Sequence, residues 1–221
     1  MNTNINSNRS LYEFRFPNKT EKIRHQLWGV LIRGFFQKLI PVSSVLLDFG
    51  CGRGEFIGQI NARQKIGLDR ENLLLDRYAE NIEFFAVQNS TWDFLENDSV
   101  DVIFASNVFE HFESKHELDK ALIEMQRVLR SNGNLIILTP NIRLEPRRYW
   151  DYYDHHIALS DRSIAEALMK ANFRVERTIT RFLPWSSESK LPYGSALLWL
   201  YLRVPILWRI MGKQSLIIGA K

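Results

Sequence analysis

The chain has 221 residues, of which 45% are hydrophobic and 24% charged, and this is enough to bury the core of one globular domain but hardly of two. Its single cysteine, Cys51, excludes an intrachain disulfide and a cysteine-rich zinc site, and the polar start MNTNINSNRS lacks the apolar core of a secretory signal, so we expect a cytoplasmic protein. The net charge of +4 is uneven, because residues 1–40 and 181–221 are basic while the middle is acidic, and this favours an anionic partner for the flanks.

The predicted elements begin with a basic helical segment over residues 1–40, whose first ten residues we expect to be disordered. Apolar runs without polar alternation then predict buried strands at 45–49, 65–68, 82–87, 100–106 and 134–139. Apolar residues at helical spacing predict helices directly after the first strand, over 117–130 (stopped by SNG) and over 161–170, the last with Ser160 as its N-cap. This alternation predicts a parallel sheet with helices on both faces.

Two later apolar runs, 173–182 and 215–220, are predicted to close the sheet as an antiparallel edge. Between them lies an insertion at 184–213 that is rich in aromatic and basic residues: Trp185, Tyr193, Trp199, Tyr201, Arg203, Trp208 and Arg209. Its apolar run is interrupted by Arg203 and Pro205 and is too short to predict a membrane span. A helical hairpin that serves as a lid, a dimer contact or a membrane-surface element fits this pattern.

The loop after the first strand, in LLDFGCGRGEF, carries Gly50, Gly52 and Gly54. In an open parallel sheet this turn approaches the ligand, and glycines let a small molecule contact the backbone. Asp69, at the tip of the second strand, is placed to accept the hydroxyl protons of a ribose. Asp48 and a glutamate after Gly54 make the pocket acidic, which favours a cationic nucleoside ligand over a pyrophosphate.

Four segments carry a resemblance to a known family: LLDFGCGRGEF, GLD, SVDVIFASNVFEHF and MQRVLRSNGNLIILTPN. In this order and spacing they resemble the motifs of class I S-adenosylmethionine-dependent methyltransferases, in particular the group with Glu-His after strand four. The resemblance covers about residues 42–182. It implies a Rossmann-like α/β fold with a mainly parallel seven-stranded sheet and an antiparallel last strand, a methyltransferase domain at 41–221, and S-adenosylmethionine as the cofactor.

The resemblance also implies which residues bind the cofactor. The loop from Gly50 to Gly54 would contact the methionine moiety, with Asp48 near its amino group, Asp69 would hold the ribose, and the adenine would lie near residues 89–91. Many relatives have an aspartate where this chain has Asn89, so that contact departs from the family pattern. The full set of cofactor-binding candidates is Asp48, Gly50, Cys51, Gly52, Gly54, Asp69, Arg70, Asn89, Ser90, Thr91 and Asn107.

Two histidines are the catalytic candidates. His111, in NVFEHF, lies where relatives face the acceptor, and a neutral imidazole there can take a hydroxyl proton near pH 7. His155 lies in YWDYYDHHIALS, next to Asp154 and His156. The alternative roles for these histidines are a structural hydrogen bond and the binding of substrate. With Glu110 they would also suit a divalent metal, as in small-RNA 2'-O-methyltransferases that carry Glu-x-x-Glu-His, but Asn107 replaces the first glutamate and we assign no metal ligand.

The acceptor is predicted from a looser likeness. The segments DHH, RFLPW, the aromatic insertion and GKQSLIIGAK resemble methyltransferases encoded with bacterial surface-glycan enzymes. This implies O-methylation of a sugar hydroxyl in polysaccharide biosynthesis, on an anionic or lipid-linked glycan, with peripheral contact of residues 184–213 to the inner face of the membrane. The alternatives are a metal-assisted RNA 2'-O-methyltransferase, a small quinone or phenol O-methyltransferase, and a non-catalytic cofactor-binding partner.

Overall fold

The fold is described from a computed structural model, which covers Pro17, residues 20–75, Tyr78, and residues 80–87, 91–184 and 195–221. The predicted disorder of the first ten residues lies outside these ranges, as do Asn89, Ser90, Trp185 and Tyr193.

A seven-stranded sheet forms the centre of the molecule, with the order β3-β2-β1-β4-β5-β7-β6. Its strands are β1 Val45–Phe49, β2 Gln64–Asp69, β3 Glu83–Ala86, β4 Val100–Ser106, β5 Leu129–Pro140, β6 Arg174–Ile179 and β7 Gln214–Ala220. All neighbouring pairs among β1 to β5 are parallel, and β7 runs antiparallel to both β5 and β6. The predicted mainly parallel sheet with an antiparallel last strand is therefore confirmed.

The last two strands close one edge of the sheet with antiparallel pairing, as the sequence predicted, and their order within that edge follows from their burial. The antiparallel strand β7 lies inside the sheet, and β6 forms the edge. The reason is visible in the burial of the two strands: every residue of β7 is buried, whereas charged and exposed residues recur along β6. An apolar strand is most stable with neighbours on both sides, and a charged strand tolerates an edge.

Five α-helices accompany the sheet in the described residues: α1 Glu21–Gly34, α2 Lys115–Val128, α3 Asp161–Lys170, α4 Ser195–Arg203 and α5 Pro205–Met211. The predicted bounds of α3 are confirmed, and Ser160 caps it by accepting a hydrogen bond from the backbone N–H of Ser163. Helix α2 ends two residues before the predicted position, because Leu129 already has extended backbone angles and begins β5.

The segment after the glycine loop differs from the predicted helix. Residues 52–60 form successive turns, in which the N–H of Gly58 donates to the carbonyl of Gly54 at 2.8 Å. A Cβ at Gly58 would lie 2.3 Å from the ring of Tyr78, so this position requires glycine for close packing. Glycine disfavours a regular helix, and the tertiary contact therefore takes precedence over the helical pattern.

The sheet separates two apolar clusters. One cluster contains the inner faces of α2 and α3, and the other contains α1, the turns at 52–60, and the inner faces of α4 and α5. Leu46 and Leu47, which are consecutive in β1, are both fully buried and belong to opposite clusters. Side chains of a strand alternate between faces, so a continuous apolar run is what a strand covered on both faces requires.

Part of the insertion at 184–213 forms the helical hairpin that the sequence suggested. Helix α4 packs on α1, where a Cβ at Gly34 would lie 2.8 Å from Leu202. The hydroxyl of Tyr201 donates to the carbonyl of Phe182 at 2.5 Å, and Trp208 Nε1 donates to the carbonyl of Tyr201 at 2.8 Å. Among the described helices, none combines the length and the apolar character needed to cross a membrane.

The substitution Tyr201→Phe tests how the hairpin is anchored. It leaves the buried carbonyl of Phe182 without this donor, so we expect the free energy of unfolding to fall by about 1–3 kcal/mol. Urea denaturation measures the change. The control is Tyr153→Phe, at a tyrosine that is 91% exposed. Equal stability of the Tyr201 variant and the parent protein would contradict the anchoring role.

Candidate active site

The glycine loop lies at the carboxyl end of β1, close to the end of β4. Gly50, Gly52 and Gly54 have φ angles of 75°, 52° and 80°, in the region that favours glycine. A Cβ at Gly50 would lie 2.3 Å from the side chain of Val108, so only glycine fits at this position. The loop is thus packed against Val108, which lies two residues after the end of β4.

Hydrogen bonds join the same loop to the end of β2. The N–H groups of Gly50 and Cys51 donate to the carbonyl of Leu68 at 2.7 and 3.1 Å, and the N–H of Gly52 donates to Asp69 Oδ2 at 2.8 Å. Asp69 also accepts from the N–H of Arg70 at 2.7 Å. The carboxylate therefore organises the loop in addition to its predicted contact with a ribose.

Three carboxylates make this end of the sheet acidic. Burial raises the pKa of Asp48 well above its usual range, and the charges of Asp69 and Glu55 raise it further. Burial also raises the pKa of Asp69, although backbone N–H donors partly oppose this. Glu55 is paired with the buried Arg24 at 2.9 Å. A cationic ligand lowers the cost of ionising such a cluster, and the ammonium and sulfonium groups of S-adenosylmethionine fit it.

The remaining cofactor candidates are placed less uniformly. The thiol of Cys51 is free and buried, and burial followed by the charge of Asp48 raises its pKa, so it is a packed neutral side chain rather than a nucleophile. Arg70 and Thr91 are exposed. Asn107 accepts a hydrogen bond from Gln214 Nε2 at 3.2 Å. The individual contacts of all these residues with the cofactor stay predictions.

His111 lies in a short 3₁₀ turn after β4, and its orientation is set by the loop after β5. Its Nδ1 is 2.9 Å from the carbonyl oxygen of Asp154 and 3.3 Å from Asp154 Oδ2. A carbonyl oxygen only accepts, so Nδ1 must carry the hydrogen, and the lone pair of the neutral ring is then on Nε2. The side chain is 29% exposed, so an acceptor can reach it.

Glu110 is the buried acid of this cluster. Its side chain is 1% exposed, Thr139 Oγ1 donates to it at 3.4 Å, and its Oε1 is 4.0 Å from His111 Nε2. Burial raises the pKa of Glu110 above its usual value, while the neighbouring His111 opposes that shift. The carboxyl group and the imidazole are thus close enough to share a proton or a cation.

The two histidines of the DHH segment differ in burial. His155 is buried, with its ring stacked on Tyr152 at 4.9 Å between centroids and edge-on to His111 at 5.0 Å. The side chain of His156 is exposed, and its backbone N–H donates to the carbonyl of Glu110 at 2.9 Å. The structure therefore brings both catalytic candidates together and leaves His156 outside the cluster.

Sequence reasoning missed the residue that holds this loop. The fully buried Tyr149 donates its hydroxyl hydrogen to the carbonyl of Ile157 at 2.8 Å and accepts from the N–H of Leu159 at 3.1 Å. The aromatic-rich YWDYYDHH was the available signal. It could not separate buried Tyr149 from exposed Tyr153, because a four-residue 3₁₀ turn and the loop after it are too short to show a periodic pattern.

Glu110, His111 and His155 also form a set that fits a metal ion. Each offers one ligand atom, and these atoms all lie within 4.8 Å of one another. Imidazole and carboxylate together suit a divalent transition metal. An ion held there would polarise an acceptor oxygen. The sequence assigned no metal ligand, because Asn107 replaces the first glutamate of the family pattern.

A family model for a methyltransferase domain matches residues 20–178. The chain belongs to this methyltransferase family. Its cofactor is S-adenosylmethionine, and the predicted class I fold is confirmed. The likeness to surface-glycan methyltransferases stays a prediction.

Curated relatives of this methyltransferase include two proteins from Mus musculus. The tRNA (carboxymethyluridine(34)-5-O)-methyltransferase ALKBH8 is 30% identical over 114 residues, which are 52% of this chain and 17% of that protein. The probable tRNA methyltransferase 9B is 29% identical over 142 residues, which are 63% of this chain and 31% of that protein. The matched part thus spans less than a third of either relative.

Solved structures agree with the fold. A SAM-dependent methyltransferase from Archaeoglobus fulgidus superposes with a TM-score of 0.66 at 18% identity, covering 96% of this chain and 99% of that one. Another, from Thermotoga maritima, gives a TM-score of 0.65 at 19% identity with the same coverage. At this level of identity the likeness establishes the fold alone.

The substitution Asp48→Asn tests the electrostatics of the methyltransferase pocket. Because the pKa of Asp48 is raised, the folded protein holds the proton of this carboxyl group more tightly than the unfolded chain does. The free energy of unfolding therefore falls as the pH rises from the pKa of the unfolded state through the pKa of the folded state. At neutral pH we expect the variant without cofactor to be more stable than the parent protein, because the substitution removes a carboxylate that burial makes unfavourable to ionise. Its affinity for S-adenosylmethionine should fall at least about tenfold, or about 1.4 kcal/mol.

Urea denaturation at neutral and acidic pH, with calorimetric titration of the cofactor, measures both effects. In the parent protein the affinity should also decline as pH falls through the raised pKa of Asp48. The exposed Asp93→Asn is the matched control. An Asp48 variant that is less stable at neutral pH, or binds the cofactor unchanged, contradicts this account of the pocket.

Proposed function

We propose that this methyltransferase transfers a methyl group to a hydroxyl oxygen. The acceptor that we propose is a sugar hydroxyl of an anionic or lipid-linked surface glycan. The observation that carries the O-methyl chemistry is the orientation of His111. Its Nδ1 is occupied by the carbonyl of Asp154 at 2.9 Å, which leaves Nε2 as a proton acceptor on a partly exposed side chain. Such a base is needed for a hydroxyl and not for an acceptor that is already nucleophilic.

The position of His111 connects this base to the cofactor pocket. The 3₁₀ turn that contains it begins directly after Val108, the residue packed on Gly50 in the glycine loop. Bound S-adenosylmethionine supplies a methyl group that its sulfonium already activates. The protein then has to align the acceptor oxygen and take its proton.

The proton balance follows from the side chains. As the acceptor oxygen gains the methyl group, the methyl–sulfur bond of the cofactor would break and leave neutral S-adenosylhomocysteine as the product. The hydrogen of the acceptor oxygen passes to Nε2 of His111, and the ring becomes an imidazolium. The Asp154 carboxylate, with Oδ2 at 3.3 Å from Nδ1, stabilises that positive charge. The buried Glu110, at 4.0 Å, adds to the stabilisation when it is ionised. Asp154 is thus a positioning residue, and His111 is the proposed base.

Surface groups beside the cluster support an anionic, ring-bearing acceptor. The segment before Asp154 exposes Arg147 and Arg148, together with Trp150 at 52% and Tyr153 at 91%. Guanidinium groups bind phosphate oxygens, and aromatic faces cover the apolar faces of a ring. A glycan that is linked to a lipid through phosphate offers both features.

The substitution His111→Ala tests the proposed base. Loss of a general base costs about 10²–10⁴-fold in rate, so we expect transfer to fall by at least about a hundredfold while cofactor affinity is retained. The assay follows radioactive methyl into fractionated lysate of the source cells. Asp154→Asn should reduce the rate less and shift the pH profile, whereas the exposed His156→Ala should act like the parent protein.

The fraction that takes up label identifies the acceptor. Label in an extractable glycolipid supports the glycan, and label in a small quinone or phenol moves the proposal to that acceptor. Full activity in the His111 variant contradicts the role of the base. Absence of label from every fraction, with cofactor bound, supports a non-catalytic binding partner instead.

A second candidate is a metal-assisted RNA 2'-O-methyltransferase. An RNA acceptor is favoured by the relatives named as tRNA methyltransferases, and the assistance of a metal is favoured by the ligand set of Glu110, His111 and His155. For this candidate, label should enter RNA, disappear with a chelator and return with added divalent metal. Glu110→Gln and His155→Ala should both abolish metal retention. Transfer that is unaffected by a chelator excludes this candidate.

A further inference from the structure

The outer surface of helices α4 and α5 exposes an unusual group of large apolar side chains. We call it the hairpin face, and it consists of Leu197, Trp199, Leu200, Ile206 and Ile210. Their exposed fractions range from 42% for Trp199 to 68% for Ile210. Single exposed apolar residues are ordinary, but five on two consecutive short helices form a patch of the kind that marks an interaction site.

The hairpin face cannot turn inward, because the opposite sides of both helices are already packed. Tyr201, Leu202 and Trp208 are buried in the cluster that also contains α1. The hydrogen bonds from Tyr201 to Phe182 and from Trp208 to Tyr201 fix the rotation of the two helices. The exposed side chains are therefore presented outward by a rigid support.

Positive charge accompanies the hairpin face. Arg203 and Arg209 are exposed, and the guanidinium of Arg203 lies over the ring of Trp199, 3.2 Å from its centroid. The sequence from 195 to 213 contains no acidic residue. Exposed Arg33 and Lys38 follow on α1 and the turn after it, in the segment on which α4 packs. Within the described part of the insertion, the charged side chains beside the hairpin face are therefore cations, and apolar side chains flanked by cations are typical of elements at the surface of an anionic bilayer.

Two other features favour a membrane as the binding partner of the hairpin face. A second copy docked through a two-fold axis would set the same patch against itself and bring the arginines of both copies together, which is repulsive. Helices of nine and seven residues are too short to span a bilayer but can lie in its interface.

From this combination we propose that the hairpin face docks on a membrane that contains anionic phospholipid. Leu197, Leu200, Ile206 and Ile210 enter the boundary of the acyl chains, Trp199 lies at the level of the headgroups, and Arg203 and Arg209 contact lipid phosphates. The inference deepens the proposed function, because docking places the enzyme at the surface where a lipid-linked acceptor is found. The docking itself does not depend on the identity of the acceptor.

Vesicle flotation of the full chain tests the proposal. The probes are vesicles of equal parts phosphatidylcholine and phosphatidylglycerol, and vesicles of phosphatidylcholine alone. Each cation near an anionic surface contributes roughly fivefold in binding, so we expect the mixed vesicles to bind at least about tenfold more tightly. Arg203→Gln with Arg209→Gln should remove most of that preference, and raised salt should do the same.

A second pair of substitutions tests the contribution of the apolar side chains to vesicle binding. Leu200→Ser with Ile210→Ser should weaken binding to mixed vesicles by at least about tenfold, since two large side chains no longer enter the interface. The matched control is Ile123→Ser with Met169→Ser, at two exposed apolar residues on α2 and α3, which pack on the opposite side of the sheet. Circular dichroism and cofactor titration establish that all variants are folded.

The outcomes separate this inference from the proposed function. Flotation that requires the hairpin face and anionic lipid supports docking, whatever fraction takes up methyl label. Absence of flotation by the folded parent protein overturns docking, even when methyl transfer to a water-soluble glycan is intact. A dimer in gel filtration that the Leu200/Ile210 variant abolishes, without vesicle binding, overturns it in favour of self-association.

Discussion

The close approach of Gly50 to Val108 is the contact on which the organisation of the site depends. Where a Cβ would be 2.3 Å from a valine methyl, the loop after β1 and the turn after β4 can only meet through glycine. The first of these segments carries the cofactor loop, and the second carries Glu110 and His111. One steric requirement therefore brings the predicted cofactor loop next to His111, the proposed base.

The pocket combines stabilising and destabilising electrostatics. Asp48 and Asp69 are ionisable groups whose pKa values burial raises, so at neutral pH the empty protein holds charge that is unfavourable to bury. Hydrogen bonds from the loop and the pair of Glu55 with Arg24 offset part of this cost. A ligand with two positive groups relieves the rest, which is a physical reason for selecting a sulfonium nucleoside over an anionic one.

The hairpin of α4 and α5 illustrates how one aromatic-rich segment can serve two surfaces. Tyr201 and Trp208 contribute to the core and satisfy their polar atoms with backbone carbonyls. Trp199, which lies within one helical turn of Tyr201 on α4, faces outward, and the guanidinium of Arg203 lies over its ring. The composition of the segment was apparent beforehand, but its division into an inner and an outer face depended on its packing against α1.

The sequence alone determined the order of the strands, the helices α2 and α3, the glycine loop, the acidic pocket and the pairing of His111 with a later histidine segment. These follow from local periodicity and from glycine and acidic residues that lie close together along the chain. Only the tertiary structure decided that β7 lies inside the sheet, that residues 52–60 are turns, and that His155 is buried against His111 while His156 is exposed. Each of those outcomes depends on contacts between distant segments, such as Gly58 with Tyr78 and His111 with Asp154, whose steric and hydrogen-bonding demands leave no periodic pattern in the sequence.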